Sequence, residues 1–366
     1  MNAGNHGSAS EPLDPSSGTA QGCPLTPEID GGVAGDPISD VLETIRLRGA
    51  VFFLWEPRWP YATGVADGRR IGDYIAPGTD LVISYHIVTE GPCWAAVSGE
   101  APLRLDTGDI LVLPRGDAYK IANEPQYPTA AEEAASIEFF RLMAAGELPA
   151  VVAGGGPEPR RNGLICGFLG CDLHPYNPLL SALPAMIRVP PPPAGEDPLS
   201  LLIHFACSEA RQNRGGERCL LARLSETLFV EVLRRYLRNL EGGGAGWLHG
   251  LRHPLVGRAL RLLHGRLDHP WTLAELAREA GASRSSLSEK FTAVVGLPPM
   301  RYLLRWRMQV AANRLADGAA KICAVAREVG YESESAFSRA FKREVGQSPA
   351  AWRAQRLNRS AAAALR

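Results

Sequence analysis

Ala274-Glu-Leu-Ala-Arg-Glu-Ala-Gly281 is answered 49 positions later by Cys323-Ala-Val-Ala-Arg-Glu-Val-Gly330. Ala277 matches Ala326, and Gly281 matches Gly330. After one inserted residue the match resumes at an offset of 50, pairing Ser283 with Ser333, Leu287 with Phe337, Phe291 with Phe341, Gly296 with Gly346 and Pro299 with Pro349. The chain therefore carries a duplicated unit of helix, glycine turn, helix, Gly and Pro. A small Ala in the first helix lets the second pack close at a steep angle. Gly281 and Gly330 fall where a helix must end in a left-handed residue. Ser283 and Ser333 are placed to cap the second helix with a short hydroxyl side chain.

Leu287 with Phe291, and Phe337 with Phe341, stand four apart and share one buried face. The outer face is left to Ser285, Ser288 and Glu289 in the first unit, and to Ser335, Ala336, Arg339 and Lys342 in the second. This is the helix-turn-helix layout, whose second helix enters a DNA major groove. Between the units, residues 300–316 place Leu303, Leu304, Met308, Ala311, Ala312 and Leu315 at helical spacing, with arginines elsewhere. A single stiff helix there would hold both second helices on one side of a duplex, about one turn (roughly 34 Å) apart.

The charge agrees. The net charge is zero, but residues 251–366 carry 20 Lys and Arg against 9 Asp and Glu, a balance of +11. The remainder carries 19 against 30, a balance of −11. A basic C-terminal third joined to an acidic remainder implies different partners for the two parts, the basic one a polyanion.

The stretch from Ala324-Val-Ala-Arg-Glu-Val-Gly-Tyr331 through Phe337-Ser-Arg-Ala-Phe-Lys-Arg343 to Gly346-Gln-Ser-Pro-Ala-Ala-Trp352 resembles the signature of the AraC/XylS family of transcription regulators. The resemblance covers both units and the helix between them, residues 251–357. It implies base or phosphate contacts from Ser285, Ser288 and Glu289, and from Ser335, Ala336 and Arg339. Lys290, Lys342 and Arg343 are then phosphate contacts. Arg339 is the strongest candidate base reader, since a guanidinium can bond a guanine edge with two donors; a phosphate grip is its alternative. Glu289 either accepts from a cytosine amine or pairs with Lys290 or a nearby Arg. Leu287, Phe291, Phe337 and Phe341 are core.

Residues 50–122 have a different texture, with short β-branched and aromatic runs at 51–55, 81–88, 93–97 and 110–113 split by turn signals. Short strands at that spacing predict a barrel or sandwich. Gly108-Asp-Ile-Leu-Val-Leu-Pro114-Arg-Gly116-Asp-Ala-Tyr119-Lys-Ile-Ala-Asn123 resembles the second motif of the cupin barrels. In metal-binding cupins the position of Tyr119 is a His. The first motif supplies two His and a Glu, whereas only His86 and Glu90 fall in the comparable stretch here. Two ligands without a third make a poor divalent-metal site, so neither metal nor cofactor is expected.

The expected fold is thus multidomain α+β: an N-terminal cupin-like β-barrel, a helical connector, and a C-terminal all-α domain with two helix-turn-helix units. Residues 1–36, rich in Gly, Ser, Pro and acids, read as a disordered tail. Residues 37–190 form the sensor domain, opening on a short amphipathic helix at 38–49. Within it, 124–160 reads as an excursion or loop, 164–173 as strand, and 175–187 as a turn with short helix character. Residues 191–250 hold a proline spacer beginning at Pro190 and two helices, 199–213 and 219–240, whose apolar faces cover either the barrel or a second subunit. Residues 251–366 are the DNA-binding domain.

No run approaches eighteen apolar residues, which excludes a membrane helix. The first 36 residues have neither a basic start nor an apolar core, so no secretory signal is expected. Seven scattered Cys suit a reducing cytoplasm. The expected function is a sequence-specific DNA-binding transcription regulator, not an enzyme. Its partners are promoter DNA, RNA polymerase, a second copy in a homodimer, and a small-molecule or oxidant effector. Cys93, Cys166 and Cys171 are the candidate redox residues; a small organic ligand in the barrel is the other signal. An effector would change how the helices of 199–240 pack. The alternatives are a cupin metal enzyme with a DNA-binding appendage, and an architectural DNA binder.

Overall fold

The computed structural model describes residues 35–44, 46–125, 130–173, 175–191, 197–212, 214–240 and 244–364. Residues 1–34 of the expected tail, Ile45, Pro192 and Pro193 of the proline spacer, and the glycines at 242–243 lie outside them.

In chain order the N-terminal part runs α1 (Pro37–Thr44), β1 (Arg48–Arg58), β2 (Ala62–Val65), α2 (Gly68–Ile75), β3 (Leu81–Glu90), β4 (Cys93–Val97), β5 (Leu103–Leu105), β6 (Ile110–Leu113) and β7 (Tyr119–Ala122). It continues through α3 (Ala130–Ala145), β8 (Val151–Gly155), β9 (Gly163–Cys171), α4 (Pro178–Ser181), β10 (Ile187–Val189), α5 (Pro198–Gln212) and α6 (Glu217–Asn239). The helical part is α7 (Trp247–Arg252), α8 (Pro254–Gly265), α9 (Leu273–Ala280), α10 (Arg284–Val295), α11 (Pro299–Ala316), α12 (Ile322–Glu328), α13 (Glu334–Val345) and α14 (Pro349–Ala364).

The strands form two sheets among the described residues, ordered β10-β6-β3-β9-β1-β8 and β2-β7-β4-β5. Among the described residues no ladder joins them, so the closed barrel expected from the sequence is replaced by two facing layers. Period-2 alternation explains how both faces of the larger sheet are buried. On β3, Val82 and Val88 turn toward the second sheet with Phe53, Cys166 and Phe168, while Ile83, Tyr85 and Ile87 turn the other way with Phe52, Ile165 and Leu169. That outer face is covered by α6 through Leu221, Leu228 and Phe229. Tyr85 Oη lies 3.0 Å from Ser225 Oγ across the seam. The apolar face of α6 is therefore sheet cover. Part of α5 is not: Leu201 and Phe205 stay 68% and 47% exposed.

Residues 124–160, expected as an excursion or loop, hold α3 and β8. Ala, Glu, Leu and Met give α3 its helix propensity despite a weak apolar stripe. It closes one end of the inter-sheet core, with Phe139 and Phe140 packed on Phe53 and Phe168 at 5.3 and 4.6 Å between ring centres. Strand β8 adds to β1 in parallel, pairing Val151 with Leu54.

Candidate DNA-reading helices and the interior between the sheets

Each expected piece of the duplicated unit takes its place. Gly281 ends α9 at φ 79°, a left-handed conformation that suits a residue without Cβ. Ser283 then accepts from the Ser286 N–H at 3.2 Å and caps α10. In the second unit Gly330 has φ 78°, and a Cβ there would come within 2.4 Å of the Asp268 carbonyl oxygen. Ser333 accepts from the Ala336 N–H at 3.4 Å and caps α13. Leu287, Phe291, Phe337 and Phe341 are fully buried. Gly296 and Gly346 end α10 and α13, and Pro299 and Pro349 open α11 and α14.

Helix α11 is shared by two cores. Its first half gives Tyr302, Leu303 and Trp306 to the first unit. Its second half gives Met308, Ala311, Ala312 and Leu315 to the second, where Trp352 Nε1 donates to the Ala312 carbonyl at 2.9 Å. A helix anchored at both ends in this way fixes one unit against the other.

On α10, Ser285, Glu289 and Lys290 are exposed and Ser288 is half-buried. On α13, Ser335, Arg339, Lys342 and Arg343 are exposed and Ala336 is half-buried. Ser285 and Ser335 sit 3.2 and 2.8 Å from the hydroxyls of the capping serines, so the cap orients each of them. Arg339 makes no ion pair among the described residues. Neither does Glu289, which leaves both heads open to a ligand. Arg343 leans on Glu344 at 3.4 Å, and Glu344 also binds Arg301 of α11 at 2.7 Å. Arg284, exposed at the first position of α10, was not singled out from the sequence. Its place beside the cap was the available signal.

The interior between the sheets brings three singled-out residues together. His86 lies between Cys166 Sγ, 3.1 Å from Nδ1, and Tyr119 Oη, 2.5 Å from Nε2. Its two ring nitrogens thus face opposite partners and cannot converge with them on one metal ion. Burial holds the His86 pKa down at about 3, so the ring is neutral. Glu90, the other candidate ligand, is exposed and pairs with Arg161 at 3.2 Å. Among the described residues no cluster of three His, Cys, Asp or Glu side chains could hold a metal.

The candidate thiols are buried. Burial pushes Cys93 up to about 12, and Cys166 and Cys171 are raised as well. Cys166 belongs to the core between the sheets and Cys171 to the core on the other side of β9.

The sheet part docks on the back of the helical part. Arg356 of α14 is buried and donates to Asp80 at 2.8 Å and Asp172 at 3.5 Å; Arg359 also reaches Asp80, at 2.9 Å. The Tyr176 N–H donates to buried Gln309 at 2.7 Å. Arg46 donates to the Asn313 carbonyl at 2.8 Å and pairs with Asp317. Buried His264 bridges Asp40 and Tyr302 at 3.1 and 2.8 Å. These contacts touch α8, α11 and α14, and leave the outer residues of α10 and α13 named above open.

The family described as Cupin matches residues 36–238, and that described as Helix-turn-helix domain matches residues 276–355. A Streptomyces antibioticus protein described as an AraC-like transcription regulator is 32% identical over 319 residues, 87% of this chain and 98% of that one. The HTH-type transcriptional regulator AlkR of Acinetobacter baylyi is 30% identical over 74% of this chain and 87% of its own. Among solved structures, the C-terminal domain of the response regulator AraT from Geobacillus stearothermophilus is 30% identical, covering 28% of this chain and 86% of that one at a TM-score of 0.28. With its cupin part ahead of a duplicated helix-turn-helix, the chain belongs to the AraC family of DNA-binding transcription regulators.

Proposed function

We propose that residues 251–366 read a promoter sequence with α10 and α13 in neighbouring major grooves, under control of a small organic effector bound by residues 37–240. The observation that carries this reading is the anchoring of both reading helices by one face. Leu287 and Phe291, like Phe337 and Phe341, are fully buried, while Ser285, Glu289, Ser335 and Arg339 face outward. Arg339, Ser285, Ser288, Glu289, Ser335 and Ala336 approach bases. Lys290, Lys342 and Arg343 hold phosphates, which fix position without reading sequence.

The signal is assigned to an organic molecule rather than an oxidant because Cys93, Cys166 and Cys171 are buried with raised pKa values, and a thiol must ionise and be reached to react. The engaged nitrogens of His86 speak against a metal enzyme. Exposed Leu201 and Phe205 of α5, with Leu220 of α6 at 38%, suit the contact of a cytoplasmic homodimer.

Genomic fragments captured by the purified protein and then competed with random DNA test this. Retention of a small fragment set at large competitor excess supports the reading. Equal displacement of all fragments would make the protein a non-specific binder.

A further inference from the structure

Between the end of α3, the start of α6 and the first half of β1 lies a groove of about 710 Å³. Its wall is apolar where Val51, Phe52, Met143, Leu148 and Leu221 meet. Glu217, in the first turn of α6, also lines it. That residue is only 7% exposed, and its Oε1 is buried with no hydrogen-bond partner among the described residues. A buried carboxylate oxygen without a donor is costly, since desolvation is not offset.

The nearby cations do not relieve it. Arg214 is held by Glu209, and Arg218 lies across Gly146 with its guanidinium where a Cβ would sit. Glu147 adds a second carboxylate to the wall.

We propose that this groove binds an organic cation with an apolar body, its positive head on Glu217 and its body against Phe52, Met143 and Leu148. Burial, with Glu209 nearby, holds the Glu217 carboxyl above its ordinary pKa, and a bound cation would bring it back down. Occupancy has a route to the DNA-binding part. Leu221, Leu228 and Leu233 of α6 belong to one continuous apolar core with Trp247, Leu248 and Leu260 of α7 and α8. A cation that binds two placements of α6 unequally shifts their populations. This last clause rests on the regulator reading above; the binding site does not.

The test uses the full chain with phenylbutylammonium, whose N–H groups can donate to Oε1, and phenylbutyrate as a probe of similar shape and opposite charge. Calorimetry should show the ammonium binding and the carboxylate not. Glu217→Gln should weaken the ammonium by about thirtyfold or more, the scale for removing one member of a buried charge pair, while its urea midpoint is held or raised. Cys219 is exposed and lines the groove, so the bound ammonium should slow its alkylation while leaving that of Cys323 unchanged. This footprint on the wild-type chain decides the matter if Glu217→Gln does not fold.

Equal affinity for phenylbutyrate, undiminished binding by the Gln variant, or an unchanged Cys219 rate would each overturn the site. Ammonium binding with no change in DNA affinity would overturn the regulatory clause alone. A chain that binds the ammonium but no specific DNA would instead defeat the reading of α10 and α13.

Discussion

Acidification should destabilise the two-sheet part through His86, and the size of the effect follows from its burial. The ring is enclosed between the sheets, 2% exposed, and its pKa is held at about 3 against 6.5 for the free side chain. Between those values the unfolded chain takes up a proton that the folded chain refuses. The unfolded state then binds more protons, so stability falls as pH drops below 6.5 and keeps falling toward 3. From about pH 7.5 to about pH 5.5 the unfolded imidazole goes from about one-tenth to about nine-tenths protonated while the folded one stays neutral, a loss of about 1.4 kcal/mol.

His264, also lowered by burial, adds to this loss. Asp172 acts in the opposite sense, because burial raises its pKa and its contribution falls as pH rises through that raised value. Comparing the wild type with His86→Gln cancels both. The assay is urea unfolding followed by circular dichroism at the two pH values. The variant should lose about 1.4 kcal/mol less than the wild type. Identical losses in the two proteins would mean that His86 is not a buried neutral ring, and the interior built around it would be wrong.

Arg356→Ala leaves Asp172 without its hydrogen-bond donor and Asp80 with only part of its charge partner set, so docking of α14 on the sheet part should weaken by about 3 kcal/mol. Urea unfolding of the intact chain reads this, and a change below about 1 kcal/mol would show that the cluster does not hold the parts together. Lys342→Ala should reduce the slope of log affinity against log salt by about one on any DNA; an unchanged slope removes Lys342 from the phosphate contacts. Elemental analysis of protein purified without chelator should find no stoichiometric zinc, iron or manganese, and a ratio near one metal per chain would revive the cupin enzyme.

What the sequence made legible was local. The duplicated unit could be read because each position answers a short-range need: Ser283 and Ser333 cap, Gly281 and Gly330 turn, and Leu287 with Phe291 share a face at a spacing of four. The strands β4 and β6 fall at the expected residues for the same reason, since 93–97 and 110–113 are apolar runs between turn signals. How strands are partnered is not local. Nothing in the run 119–122 says that it pairs with 62–65 rather than closing a barrel.

The cover for the larger sheet and the docking cluster were hidden likewise. Asp80 and Arg356 are 276 positions apart, and neither is unusual in its own neighbourhood. By its spacing alone the face of α6 suits a second subunit as well as a sheet, and it is the seating of Ser225 against Tyr85 that assigns it to the sheet. Helix α3 was missed because its stripe is weak and only its composition favours a helix.

Hydroxyl-radical footprinting of a captured genomic site, with wild-type protein and Arg339→Ala side by side, tests the two-helix reading most directly. The wild type should protect two segments on one face of the duplex about one helical turn (roughly 34 Å) apart. Arg339→Ala should keep the first segment, blur one base position in the second, and weaken the captured site by about 1–3 kcal/mol with random DNA unchanged. A single protected segment, protection on opposite faces, or equal losses on captured and random DNA would contradict it.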